Sequence, residues 1–200
     1  MKLYLSSVGI PDPKAFRGLF APNQTHQIAL ITDAWDNAPT KISAPHIEAT
    51  RRAIQSEGFG CEFIDLSDYR FKPDHLGEAL AQYAGAWVTG GNTFYLNWLL
   101  TECNFSEVLQ TLFKNNFVYG GESAGAVVAG TTLHGIEVLD NILEAPHAVW
   151  QGMGLVPYGI LPHWGEAKDE LYLKRAYREM EQFGNVRRLA NDDCIVVNDN

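Results

Sequence analysis

Short apolar runs recur along the chain, and segments with helical patterning separate many of them. Eight of these runs predict β-strands, over residues 2–7, 27–32, 61–65, 86–89, 117–120, 158–162, 186–189 and 194–197. The runs IALI (28–31) and AWV (86–88) are almost continuously apolar. Such runs are typical of strands that are buried on both faces of a parallel sheet.

Six segments between the strands predict helices, over residues 45–57, 76–83, 93–102, 106–115, 124–129 and 167–183. Ser43 is the predicted N-cap of the first, with Pro45 in its first turn and Gly58 at its end. Asp74 is the predicted N-cap of the second, and Gly184 closes the last. This alternation predicts an α/β fold, a three-layer α/β/α sandwich with a mostly parallel sheet. Residues 1–200 are expected to form a single domain, because 200 residues suffice for one sizeable core.

Composition narrows the classes of function. The formal net charge is −9 and no Lys/Arg cluster offsets it, so nucleic acid is not an expected partner. No run of about 18 apolar residues occurs and the opening segment lacks the length of a signal peptide, so no membrane partner is expected. The three cysteines, Cys61, Cys103 and Cys194, are an odd number without CxxC spacing, so no disulfide framework is expected. A reducing cytoplasm is therefore the expected location. The six histidines lack HxxxH or HExxH spacing, so no metal site is expected.

Ser123 lies in the sequence YGGESAGA (119–126), between a predicted strand and a helix of small residues. This arrangement is typical of a nucleophile elbow, a sharp strand-to-helix turn. Gly121 and Gly125 allow neighbouring backbone to pass close to the turn. The alternative is a serine that only caps a helix. For Glu122, beside the serine, two roles stay open: accepting a hydrogen bond from a substrate amine, or pointing to solvent.

A serine nucleophile needs a base within hydrogen-bond reach. His163 is the candidate, because it follows a predicted strand in the sequence ILPHWG. Ligand sites of parallel sheets form beyond the carboxyl ends of the strands. His134 and His147 are weaker candidates, since neither follows a convincing strand. The third member of a triad is a carboxylate that fixes the histidine tautomer. Asp192 is the preferred candidate, with Asp193 and Glu166 as the alternatives.

The sequence GGNT (90–93) follows another predicted strand and opens a helix. Asn92 or Thr93 can cap that helix. The backbone N–H of Gly91 is expected to face the same rim as that of Ala124, and the two would form an oxyanion hole. The segment matches neither GxGxxG nor GxxxxGK[ST], so a nucleotide fold is disfavoured and no cofactor is expected.

Three motifs together resemble the dipeptidase E and cyanophycinase group of serine peptidases: VTGGNT (88–93), YGGESAGA (119–126) and LPH (161–163). The opening LYLSS (3–7) and the closing LANDDCIVV (189–197) also fit, so the resemblance spans most of the chain. It implies the flavodoxin-like fold of the class I glutamine amidotransferases. It also implies a cytosolic peptidase that acts on short peptides, with peptides carrying an N-terminal aspartate as the substrates of dipeptidase E.

The resemblance assigns roles to residues. The family's nucleophile maps to Ser123, its histidine to His163 and its oxyanion donors to the backbone of Gly91 and Ala124. Its acidic member maps near residues 191–193.

The chain also departs from the pattern of aspartyl peptidases. Glu122 stands where dipeptidase E has a bulky non-acidic residue, and an acid there would repel a substrate aspartate. The candidate substrate-binding residues are Glu122, Asn92 and Arg175, with Lys174 and Arg178 as alternatives to Arg175.

The leading hypothesis is therefore a serine-type peptidase, a monomer or homodimer, that hydrolyses short peptides. An esterase of the α/β-hydrolase type is disfavoured by the chain order, because such enzymes place the histidine last. A glutamine amidotransferase is disfavoured because those enzymes use cysteine at this turn. A non-catalytic binding protein on the same fold is the remaining alternative.

Overall fold

The computed structural model describes residues 1–199. Its eight strands are β1 (Lys2–Ser6), β2 (Gln27–Ile31), β3 (Gly60–Phe63), β4 (Gly85–Val88), β5 (Val118–Glu122), β6 (Gly159–Leu161), β7 (Val186–Arg188) and β8 (Cys194–Asn198). Six of them form the central sheet in the order β3-β2-β4-β5-β1-β8, and β6 and β7 form a separate parallel pair. The first five strands of that order run parallel, and the edge strand β8 runs antiparallel to β1.

Helices connect most of the strands. They are α1 (Pro13–Arg17), α2 (Thr40–Ser56), α3 (Pro73–Leu80), α4 (Thr93–Glu102), α5 (Phe105–Leu112), α6 (Ala124–Val127) and α7 (Glu170–Met180). Short 3₁₀ helices lie at Asp33–Trp35, Leu66–Tyr69, Phe113–Asn115, Ile136–Val138, Ile142–Glu144 and Glu181–Phe183. No helix among residues 1–199 is long and apolar enough to cross a membrane.

Apolar side chains cover both faces of the central sheet. In β1, Leu3 and Leu5 pack into one cluster and Tyr4 packs into the other, because successive side chains of a strand point to opposite faces. Trp87 of β4 joins the second cluster, where its ring lies 5.7 Å from that of Phe16 in an edge-to-face arrangement. Helices cover each face, so the predicted three-layer α/β/α sandwich with a mostly parallel sheet is confirmed.

All eight predicted strands are present, and each boundary lies within two residues of its predicted position. The helix predicted at 93–102 matches α4 at both ends. Apolar runs predict strands, and a polar N-cap residue predicts the start of a helix. The structure confirms both predictions for the eight strands and for α4.

Two predicted caps are wrong. Helix α2 begins at Thr40, so Ser43 lies inside it and is buried, while its backbone N–H bonds to Pro39. Helix α3 begins at Pro73, so Asp74 lies in its first turn. There the negative charge of Asp74 interacts favourably with the positive end of the helix dipole. Helix α1 was not predicted from the sequence, because its five residues are too few to show a helical period.

The strand register brings the ends of β1, β4 and β5 together. Ser6 pairs with Glu122, and Val88 pairs with Gly121. The residues that follow these strands therefore leave the sheet side by side, at its carboxyl edge.

Candidate active site

Ser123 occupies a strained turn between β5 and α6. Its backbone has φ 50° and ψ −112°, an unfavourable region for a residue with a side chain, and such strain costs about 1–3 kcal/mol. Its N–H donates to the carbonyl of Ser6 at 3.0 Å, which anchors the turn to β1. A Cβ on Gly121 would lie 2.4 Å from the carbonyl oxygen of Gly125, so the tight turn requires glycine there.

His163 lies within hydrogen-bond distance of the serine. Its Nε2 is 2.9 Å from Ser123 Oγ, although 40 residues separate the two in the chain. His163 lies two residues after the end of β6 and also has a positive φ of 60°. Its backbone N–H donates to Ser7 Oγ at 2.8 Å, and this bond holds the strained residue against the end of β1. The structure thus joins the predicted nucleophile and the predicted base.

Asn191, rather than a carboxylate, faces the other ring nitrogen. Its Oδ1 lies 2.9 Å from His163 Nδ1, and Ser7 Oγ lies 3.3 Å from the same nitrogen. An amide oxygen only accepts, so this pattern assigns the proton to Nδ1 and leaves Nε2 free to accept from Ser123. Glu166 Oε1 accepts from Asn191 Nδ2, which fixes the amide with its oxygen toward the histidine.

The three candidate carboxylates occupy other positions. Asp192, the preferred prediction, is exposed and makes no hydrogen bond to His163 in the part of the chain that the structure describes. Asp193 accepts from the N–H of Ala190 at 2.8 Å and closes the turn before β8. Glu166 reaches the histidine only through Asn191. The sequence NDD at 191–193 does contain the contacting residue, but a triad predicts a carboxylate, and asparagine is uncharged.

The turn at 90–91 lies directly against Ser123. A Cβ on Gly90 would lie 3.1 Å from the Cβ of Ser123. Gly91 has φ +131°, and a Cβ there would lie 2.3 Å from the carbonyl oxygen of Ala34, so only glycine fits. Within residues 1–199, neither the N–H of Gly91 nor that of Ala124 donates to another protein group. Two backbone donors are therefore unused next to the serine.

Asn92 has a structural role. Its side-chain oxygen accepts from the N–H of Tyr95 at 2.9 Å and caps α4, as predicted for Asn92 or Thr93. Its amide donates to the carbonyl of Asn141 at 2.9 Å. Both ends of the side chain are thus engaged, although Asn92 still lines the cavity described next.

A cavity of about 840 Å³ opens beside Ser123 and His163. Its wall includes the segment after β1, the Ala34–Trp35 turn, one side of α2, the Gly90–Gly91 turn and residues 139–144. Arg175 does not line it, because this residue lies on α7 and pairs with Glu179 at 3.9 Å. Lys174 pairs with Glu170 on the same helix. The cavity thus has the size of a small-molecule site.

Glu122 forms part of the cavity wall. Its side chain is not directed to solvent, since the residue is only 8% exposed. Its Oε2 accepts from the N–H of Gly9 at 2.7 Å, and its Oε1 accepts from the Thr50 hydroxyl. These two bonds compensate the burial of the carboxylate.

Two further aspartates near the site are perturbed by burial. Burial raises the pKa of Asp140, against the opposing effects of a hydrogen bond from Thr93 and the charge of His163. Burial also raises the pKa of Asp33 from 3.8 to about 7. One oxygen of Asp33 accepts from the N–H of Leu66 at 2.8 Å, and the other has no partner within residues 1–199.

Comparison with known proteins decides the family. The model of peptidase family S51 matches residues 14–200. The chain belongs to this family. It is accordingly a serine peptidase, and the resemblance to peptidase E noted from the sequence is confirmed.

Similar proteins agree with this membership. An uncharacterized peptidase of Listeria monocytogenes is 25% identical over 156 residues, which cover 76% of this chain and 74% of that protein. A peptidase E of Nostoc sp. is 29% identical over 148 residues, which cover 74% of this chain and 56% of that protein. In fold, the chain is similar to the crystal structure of a candidate peptidase E protein from Listeria monocytogenes EGD-e. The TM-score is 0.81 at 22% identity, covering 98% of this chain and 93% of that one.

Proposed function

We propose that this S51 peptidase hydrolyses short peptides through an acyl-enzyme, with Ser123 as the nucleophile and His163 as the general base. The 2.9 Å contact between Ser123 Oγ and His163 Nε2 carries the proposal, because a serine hydroxyl is a weak nucleophile without an adjacent base. The strained conformation of Ser123, on a strand-to-helix turn, supports its role as a nucleophile elbow.

The first half of the reaction forms the acyl-enzyme. His163 Nε2 takes the hydroxyl proton while Ser123 Oγ bonds to the peptide carbonyl carbon. The carbonyl oxygen becomes an oxyanion, and the free N–H groups of Gly91 and Ala124 are the donors that would hold it. One such donor contributes about 3 kcal/mol to transition-state stabilisation. The tetrahedral intermediate then collapses, and His163 returns the proton to the leaving amine.

The second half repeats these steps with water. His163 takes a proton from water, the resulting hydroxide attacks the acyl carbon, and Ser123 leaves with the proton that the histidine returns. Throughout the cycle, Asn191 Oδ1 accepts from Nδ1–H and keeps Nε2 directed at Ser123. Asn191 therefore takes the place proposed for Asp192 from the sequence, with Glu166 orienting its amide.

The size of the cavity supports short peptides as the substrate class. About 840 Å³ accommodates a few residues, and Ser123 and His163 lie in its wall. The three cysteines, Cys61, Cys103 and Cys194, are all free thiols, which supports a reducing, cytoplasmic location.

The test is a screen of dipeptides with varied first residues, read by the release of free amino acids. The wild type is expected to hydrolyse at least one group of dipeptides, while Ser123→Ala loses activity on the order of 10⁴-fold or more. Ser56→Ala is the matched control, because this exposed serine lies at the end of α2 and its hydroxyl bonds to a backbone carbonyl. Equal activity of Ser123→Ala and the wild type would refute the proposal.

A further inference from the structure

The substrate cavity carries negative groups without fixed positive ones. Glu122, Asp140 and Glu144 lie in its wall, and neither a lysine nor an arginine of residues 1–199 lines it. The other titratable side chains in the wall are His46 and His163. A carboxylate in a substrate side chain that lies near Glu122 and Glu144 would therefore meet like charges and no permanent counter-ion.

Glu144 differs from the other two carboxylates in having a free side chain. Glu122 accepts from Gly9 and Thr50, and Asp140 accepts from the N–H of Thr93. The Glu144 side chain, in contrast, makes no hydrogen bond or ion pair within residues 1–199.

The backbone of Glu144 is nevertheless fixed. Its carbonyl accepts from Asn37 Nδ2 at 3.3 Å, and its N–H donates to the carbonyl of Asn141 at 3.3 Å. Asn141 is itself held by the side chain of Asn92 at 2.9 Å. An unpaired, partly buried carboxylate is thus presented by an anchored turn in the wall that also contains Ser123.

The remaining wall suits a long aliphatic stem. Trp35 stacks on His46 with ring centroids 5.0 Å apart, and Ala38, Ala49 and Ala53 lie in the same wall. Lysine and arginine side chains combine an apolar stem with a charged head, and they pack the stem on such surfaces. In a partly buried site, opposite charges attract and like charges repel more strongly than in water.

We infer that the cavity selects peptides whose first residue has a cationic side chain, lysine or arginine, and that Glu144 determines this specificity. The inference rests on the proposed function only where it concerns cleavage, because the cavity can bind such peptides selectively without hydrolysing them. It reverses the preference for N-terminal aspartate that the sequence resemblance implies.

The experiment compares three dipeptides, Lys-Leu, Met-Leu and Asp-Leu, because methionine has an unbranched stem but no charge. With the wild type, kcat/KM for Lys-Leu is expected to exceed that for Met-Leu at least tenfold, and Asp-Leu is expected to be the poorest substrate. Glu144→Gln is expected to bring the Lys-Leu to Met-Leu ratio near one. Glu78→Gln is the matched control, because this exposed residue of α3 does not line the cavity.

Binding to Ser123→Ala, measured by calorimetry with the same dipeptides, separates this inference from the proposed function. Tighter binding of Lys-Leu than of Met-Leu, without cleavage by the wild type, would refute the peptidase mechanism and support the selectivity. Cleavage of Asp-Leu as fast as Lys-Leu would overturn the selectivity alone. An unchanged ratio in folded Glu144→Gln, or equal binding of all three dipeptides to Ser123→Ala, would also overturn it.

Discussion

Replacement of Asn191 by alanine tests the unusual third member of the site. The change removes the oxygen that lies 2.9 Å from His163 Nδ1. In the transition state the ring is an imidazolium, and a hydrogen bond to a charged group contributes about 1.5–3 kcal/mol. Since 1.36 kcal/mol corresponds to a factor of ten in rate, kcat/KM is expected to fall about 10- to 150-fold. Ser7 Oγ, at 3.3 Å from Nδ1, is a partial substitute and favours the lower end.

A carboxylate at position 191 tests the role of Glu166. In the wild type, Glu166 accepts a hydrogen bond from the Asn191 amide. In Asn191→Asp a carboxylate replaces that amide, so two negative charges face each other. We therefore expect no gain in activity from this single change. Combining it with Glu166→Gln restores a donor and leaves one carboxylate to stabilise the imidazolium. The double variant is expected to exceed Asn191→Asp about tenfold, because repulsion by Glu166 weakens the effect of the new carboxylate on His163 only in the single variant.

The assay is steady-state hydrolysis of the best dipeptide of the screen, with Asp192→Ala as the matched neighbour. Asp192 is exposed, so its replacement is expected to leave kcat/KM within about twofold of the wild type. Activity of Asn191→Ala within twofold of the wild type would refute the role given to Asn191. A loss in Asp192→Ala as large as that in Asn191→Ala would refute it as well.

Three further substitutions probe the surroundings of the site. Gly91→Ala is expected to lower kcat about 10²- to 10³-fold, because the added Cβ would clash with the backbone of Ala34 and displace the N–H proposed as an oxyanion donor. Asp33→Asn is expected to flatten the pH dependence of stability. A carboxyl whose pKa rises from 3.8 to about 7 on folding stabilises the protein below pH 3.8 and loses up to about 4 kcal/mol of this stabilisation as the pH rises to 7. Thr50→Val is expected to lower the free energy of unfolding by about 1–3 kcal/mol, because it removes a donor to the buried Glu122.

Each of these has a control and a measurement. For Gly91→Ala, the control is steady-state kinetics on Gly154→Ala. Gly154 also has a positive φ, but a Cβ added there meets nothing within 4 Å, so this variant carries the backbone strain without a steric clash. For Asp33→Asn, urea unfolding between pH 4 and pH 8 gives the free energy of unfolding as a function of pH. An equal pH dependence in the variant and the wild type would contradict the raised pKa of Asp33. For Thr50, urea unfolding is compared with Thr111→Val, an exposed threonine on α5, and equal losses would count against the buried bond.

The sequence predicts those features of the fold that depend on local patterns. Continuous apolar runs such as 28–31 identify buried strands, and the turns after β4 and β5 follow directly from them. The sequence predicts Ser123, His163 and Gly91 as site residues because each comes shortly after a strand of a parallel sheet. Local signals are weaker at helix starts, where Thr40 extends α2 back beyond the predicted cap at Ser43.

Contacts between distant segments could not be predicted in this way. Glu122 is bound by Gly9, 113 residues away, and by Thr50, 72 residues away. No pattern along the chain links these positions, so its burial emerges only from the packed structure. Asn191 was missed for a chemical reason, since a catalytic triad suggests a carboxylate although an oriented amide oxygen also fixes a histidine tautomer.

Reaction with a serine-directed phosphonate tests the central claim most directly. A phosphonate reacts with a serine that an adjacent base activates, and digestion followed by mass spectrometry locates the adduct. We predict one adduct, on Ser123, and labelling at least about 10³-fold slower in His163→Ala. Folded wild-type protein that stays unlabelled, or labelling of another serine at the same rate, would contradict the assignment of Ser123 and His163 as the catalytic pair.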